Sequence, residues 1–165
     1  MSTDLPGTAP VAPGFGTGLL GDGLVTFALG RREYATPLTS VREVVRLEGL
    51  TDMPGMEPPL AGVLDLRGSA LPVLDLRVGA TEQSRGDVLV LERGSEGSET
   101  TVGVAVDRVR AVVDRSELPV VGAGSDEGVL PSYVVEVLRG KDGPVFLVDL
   151  EQMVDAVRPG GSGHY

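Results

Sequence analysis

Apolar positions in this chain come in short runs. Turn-forming residues separate them, and most runs alternate apolar with polar or small side chains. LVTFAL (24–29) and EYATPL (33–38), joined across Gly30-Arg31-Arg32, predict a hairpin. In TSVREVVRLEGL (39–50), Val41, Val44, Val45 and Glu48 follow helical spacing at first, and VVRL reads as extended. The expectation is one helical turn capped by Ser40, then a strand. DMPGMEPP (52–59) is a loop by its Pro and Gly content. LAGVLDLR (60–67) and GSALPVLDLR (68–77) predict two strands, with Pro72 at a bulge or an edge because it cannot donate to a ladder. DVLVLER (87–93) and TVGVAVD (101–107) flank a polar hairpin loop, and RVRAVVD (108–114) continues as a strand. ATEQSRG (80–86) and VGAGSDEG (121–128) read as loops. YVVEVLR (133–139) and PVFLVDL (144–150) form a last hairpin, and EQMVDAV (151–157) a short amphipathic helix ended by Pro159. About ten short strands punctuated by turns mark a sandwich or small barrels.

Composition sharpens this picture. Among 165 residues there are 26 Val and 21 Leu but no Ile, with 24 Gly and 12 Pro as breakers. Val is stiff at χ1 and suits a pleated sheet. The formal charge of −10 argues against binding nucleic acid through its phosphates and against docking on anionic lipid. There is no Cys, and the single His is His164, so disulfides, thiolate metal sites and a His-based triad in the core are excluded. No apolar run is long enough to span a membrane, and the first residues lack the basic and apolar halves of a signal peptide. The expectation is a cytoplasmic protein without direct membrane insertion. Residues 1–21 read as a flexible arm and 158–165 as a flexible tail.

Few residues suggest chemistry. Gly16-Thr17-Gly18-Leu19-Leu20-Gly21 matches G-x-G-x-x-G, but it lacks the preceding strand and following helix that a pyrophosphate site requires. Asp65, Asp75, Asp107 and Asp149 sit near strand ends, where carboxylates could serve acid–base work or act as caps and turn acceptors; the structural reading outweighs the catalytic one. Ser69 has no nucleophile-elbow context. Arg67, between two apolar strands, offers a rigid fork either to a partner or to a neighbouring strand.

GVLDLRGSALPVLDLR (62–77) resembles the signature of CheW-like domains, in which Gly-Val-x-x-Leu-Arg-Gly precedes Pro-Val-x-Asp-Leu. FALGRREYATPLTSVREVVRL (27–47), TVGVAVDRVRAVV (101–113) and FLVDLEQMV (146–154) extend the resemblance in the right order over about 22–157. It implies a mainly β fold of two small five-stranded SH3-like β-barrel lobes with a short C-terminal helix. Lobe 1 would take about 22–66 plus 145–157, and lobe 2 about 67–144.

The resemblance also implies a non-catalytic adaptor without a cofactor or metal. Such a protein couples the cytoplasmic helical tip of a chemoreceptor to the regulatory domain of a CheA-type histidine kinase. Val41, Gly62, Gly103, Val109 and Val112 match receptor-coupling positions, and Glu43 and Arg67 match kinase or receptor contacts. Exposed barrel edges could support self-association in arrays or rings. Asp65 stands where the family commonly has Asn, which opens a second role: a divergent CheW-like scaffold in a pathway such as surface motility. A small β-barrel enzyme using the strand-end carboxylates is the reading from a different class.

Overall fold

The computed structural model describes residues 22–77, 85–94, 97, 99–123 and 130–157. The expected arm and tail, the G-x-G-x-x-G run and His164 lie outside the described residues.

Eleven strands and one helix follow in the order β1 (Gly23–Leu29), β2 (Arg32–Pro37), β3 (Glu43–Arg46), β4 (Leu60–Leu66), β5 (Ser69–Asp75), β6 (Asp87–Arg93), β7 (Thr100–Val106), β8 (Arg108–Asp114), β9 (Val120–Ala123), β10 (Val134–Gly140), β11 (Gly143–Val148) and α1 (Leu150–Val157). They form a six-stranded sheet, β8-β1-β2-β11-β10-β9, and a five-stranded sheet, β3-β6-β7-β5-β4. Each sheet curls into a barrel-like lobe.

The strand pairing divides the chain differently from the expected lobes. β3 and β4 pair within the five-stranded sheet, and β8, β9 and β10 join the amino-terminal hairpin. The second sheet is therefore one continuous stretch from Glu43 to Val106, set inside the first. Among the described strands, the chain changes sheet twice. It leaves through a single 3-10 turn, Leu38–Ser40, and returns at Asp107. These crossings sit at opposite ends of the β1–β2 hairpin, since Asp107 N–H donates to Ala28 O beside the tight turn and the 3-10 turn follows Pro37 at the open end.

Three apolar cores explain why the central strands read as nearly continuous Val and Leu. In β6, Val88 and Val90 face the interior of the second lobe, and Leu89 and Leu91 face the seam between the sheets. β7 divides likewise, with Ala105 inward and Val102, Val104 and Val106 on the seam. In β11, Val145 and Leu147 fill the first lobe while Val148 joins the seam core. A strand buried on both faces needs apolar residues at every position. α1 adds Leu150, Met153 and Val154 to the seam at helical spacing. Asp149 caps the helix, its Oδ1 accepting from Gln152 N–H at 3.2 Å.

Local expectations fail where tertiary pairing overrides them. Ser40 is the last residue of the 3-10 turn Leu38–Ser40 and not its cap, and the strand that follows, Glu43–Arg46, lies in the ladder with β6. Val120–Ala123, read as part of a loop, is the strand β9 on β10. Pro72 lies in an internal strand, opposite Val63, one position before the β5–β7 ladder begins at Val73.

Candidate functional site

Four of the seven positions singled out by the sequence lie on two rungs. Across the second sheet, Glu43 pairs with Val90, Val90 with Gly103, Gly103 with Val73, and Val73 with Gly62. Across the first, Val109 pairs with Phe27, Phe27 with Tyr34, and Tyr34 with Phe146. The aromatic rings of that rung meet along the seam, Phe27 stacked on Tyr34 with centroids 5.6 Å apart and Phe146 tilted against Tyr34 at 5.9 Å.

Both glycines are buried and meet the chain itself. A Cβ on Gly62 would lie 2.5 Å from the Thr51 carbonyl oxygen, and its φ of 155° further favours glycine. The close approach belongs to Thr51, which bridges to Val63. A Cβ on Gly103 would lie 2.7 Å from Val88 Cγ1 and 3.1 Å from Leu71 Cδ2, inside the second lobe.

Val109 and Val112 are three residues apart, a spacing that places side chains on opposite faces of a regular strand. A bulge at Arg110 changes this. Thr26 pairs with Ala111 and Phe27 with Val109, leaving Arg110 as the extra residue. Val109 opposite Phe27 and Val112 opposite Val25 then share the seam-side face. Val109 is half-buried against the core, while Val112 is 38% exposed. Val41, just after the 3-10 turn, packs against the same core. The three valines are thus associated with the seam, whereas the glycines support the interior of the second lobe.

Glu43 and Arg67 meet each other. Nη1 of Arg67 donates to Oε1 of Glu43 at 3.2 Å and Nη2 donates to Oε2, a two-point pair that raises the guanidinium pKa through hydrogen bonding first and charge second. Glu43 is largely buried and Arg67 largely exposed. Arg67 occupies the β4–β5 turn with φ of 52°, followed by Gly68 at 87°. Two positive φ values are what a two-residue hairpin of this twist needs. Asp65 steadies the turn, its Oδ1 accepting from Gly68 N–H at 2.8 Å.

The other strand-end aspartates also have structural work. Asp75 grips the buried Arg77 guanidinium, with Nε to Oδ1 at 2.9 Å and Nη2 to Oδ2 at 2.8 Å. Asp107 accepts from Gly30 N–H at 2.7 Å, and Asp149 caps α1. Among the described residues no group of three or more His, Cys, Asp or Glu could hold a metal ion. No helix among them is long and apolar enough to cross a membrane.

Two curled β-lobes joined by a shared seam core, with partly exposed valines along the seam and a presented arginine at one turn, define a protein-binding module. The sequence profile of the CheW-like domain matches residues 23–158, and the chain belongs to that family. It is a family of scaffolding and coupling proteins, not of enzymes. The chemotaxis protein CheW of Rhizobium meliloti is 30% identical over 137 residues, spanning 79% of this chain and 85% of that protein. The CheW of Bacillus subtilis is 39% identical over 57 residues, 34% of this chain and 36% of that protein. The CheW of Klebsiella aerogenes is 30% identical over 99 residues, 57% of each. The chain thus spans about a third to three fifths of the length of these last two relatives. The scaffolding protein TtCheW of Thermoanaerobacter tengcongensis shares the fold, with a TM-score of 0.61 at 20% identity over 78% of this chain and 89% of that one.

Proposed function

We propose that the chain is a non-catalytic chemotaxis adaptor in the cytoplasm. It couples the helical tip of a chemoreceptor to the regulatory domain of a CheA-type histidine kinase, and gathers at receptor arrays through these partners. The observation that carries the reading is the bulge at Arg110, which puts Val109 and Val112 on one face beside the aromatic rung. An apolar strip on the seam, partly open to solvent, suits the apolar stripe of a helix laid along it. The exposed Arg67, held by Glu43, supplies a charged contact whose main effect is on orientation.

The test is binding of the purified protein to a soluble receptor-tip fragment and, separately, to the kinase regulatory domain. Micromolar binding to both, with Arg67→Glu weakening the kinase complex, supports the reading. A folded protein that binds neither defeats it. The alternative role in another pathway drew on Asp65, and that carboxylate accepts a turn hydrogen bond that an amide oxygen accepts equally well. The enzyme reading drew on carboxylates that cap, brace and close turns.

A further inference from the structure

Where the chain returns from the second sheet to the first, it borders a cleft of about 720 Å³ lined by Arg46, Arg85, Arg108 and Arg110 and by Asp87 and Asp107. Four of the chain's 13 arginines converge here, although the whole chain carries a charge of −10. The arginines come from three separate places: β3, the segment before β6, and β8. Among the described residues no ion pair engages Arg46, Arg85 or Arg108, while Arg110 meets Glu33 at 3.0 Å. The two aspartates are partly committed to backbone. Asp87 Oδ2 accepts from Val109 N–H at 2.8 Å, and Asp107 Oδ2 from Gly30 N–H at 2.7 Å.

We infer that this cleft receives an acidic surface of the receptor tip and sets the rate and register with which it docks. The inference rests on the proposed receptor coupling and adds the chemistry of the partner. Arg108 and Arg110 flank Val109 from the opposite face of β8, and Asp87 in the cleft accepts from Val109 N–H, so the cleft borders the strand that carries the apolar strip. Arginines on an edge strand also discourage strand pairing with another chain, but that role does not gather Arg46 and Arg85 from other elements. A guanidinium group is a strong, weakly hydrated carboxylate binder. In a chain that repels acidic partners elsewhere, a local basic cleft favours approach in one orientation. The arginines govern association, and the buried valine contact governs dissociation.

The test measures association and dissociation rates of the receptor-tip fragment with wild type, Arg46→Glu, Arg108→Glu and the exposed control Arg139→Glu, which makes the same change in net charge. The expected result is association slowed about fivefold or more by Arg46→Glu and Arg108→Glu, and within about twofold of wild type for Arg139→Glu. Equal association rates in all variants, with the wild type binding, overturn this inference and leave receptor coupling standing. Equal rates together with saturable binding of inorganic phosphate at Arg85 and Arg108 make it a small-anion site and overturn it equally. A wild type that does not bind the fragment overturns the receptor reading and this inference with it.

Discussion

Arg67 holds a left-handed backbone conformation and from it grips Glu43 with both terminal guanidinium nitrogens. Glu43 lies at the end of the rung that runs through Gly103 to Gly62, so the turn between β4 and β5 folds back to the far edge of its own sheet. Arg67 is exposed enough to be read by a partner, while the largely buried Glu43 fixes its position.

Arg67→Gly therefore separates these roles. Glycine relaxes the left-handed turn, and an exposed ion pair contributes little, so the melting temperature stays within about 3 °C of wild type. Kinase binding falls in the same variant because the presented guanidinium is gone. The double reversal Glu43→Arg/Arg67→Glu restores the pair and the melting temperature but not the binding; calorimetry and a binding titration on the same samples read both. Restored binding would show that the pair serves only as an internal brace.

Gly62→Ala and Gly103→Ala lose stability before they lose contacts. At Gly62 the obstacle is the Thr51 carbonyl oxygen, which is backbone and cannot yield cheaply, and the φ is unfavourable as well. The expected cost is about 2–4 kcal/mol in urea unfolding. At Gly103 the obstacles are the ends of Val88 and Leu71, which move more easily, and the cost is about 1–2 kcal/mol. Loss of receptor coupling in either variant with unchanged unfolding would place these glycines at the partner surface instead.

Val112→Asp does the opposite. With 38% of Val112 already exposed, the substitution costs less than about 1 kcal/mol. It removes receptor-tip binding, read by titration calorimetry. Val109→Asp, half-buried beside Phe27, unfolds the edge of β8 as well and shows reduced hydrogen-exchange protection there.

Asp114 adds a pH dependence. Its carboxylate accepts from the Ser116 backbone N–H and hydroxyl, both at 2.8 Å, and these bonds hold its pKa below the usual carboxylate value, the backbone bond first. A depressed folded pKa contributes stability that is complete above the unfolded value and lost as pH falls through the folded one. Exchange of the Ser116 amide quickens as the pH drops below about 4 in wild type. In Asp114→Asn that acid-dependent step is absent. An unchanged step in the variant would assign it to another carboxylate.

The strands were legible because alternation and turn residues mark them locally, and the motifs from Gly62 to Arg77 named the family. Three features were not legible. β9 is four residues long and follows Pro119, so it is recognisable only by its pairing with β10. The bulge at Arg110 has no local signal in RVRAVVD, and without it Val109 and Val112 appear to face opposite ways. The sheet assignment depends on which strands meet over long separations, as when β2 pairs in parallel with β11. Of the candidate site, the motifs were legible and the placement of their residues was not. Gly62 and Gly103 are packing positions, Glu43 and Arg67 engage each other, and the arginine cleft is assembled from segments distant in sequence.

The placement of Glu43–Val106 as one uninterrupted sheet inside the other has a consequence for biosynthesis. Among the described strands, those of the amino-terminal hairpin are made before all others and their parallel partner β11 after all others. The second lobe can close as soon as β7 is translated, because all five of its strands then exist. The hairpin meanwhile keeps its seam-facing Phe27 and Tyr34 waiting for more than half of the chain's synthesis. The inner lobe is thus a folded template on which the outer lobe completes itself. Loss of β11 leaves the inner lobe's seam face open as well, because Val148 shares one core with Phe27, Leu89 and Val104.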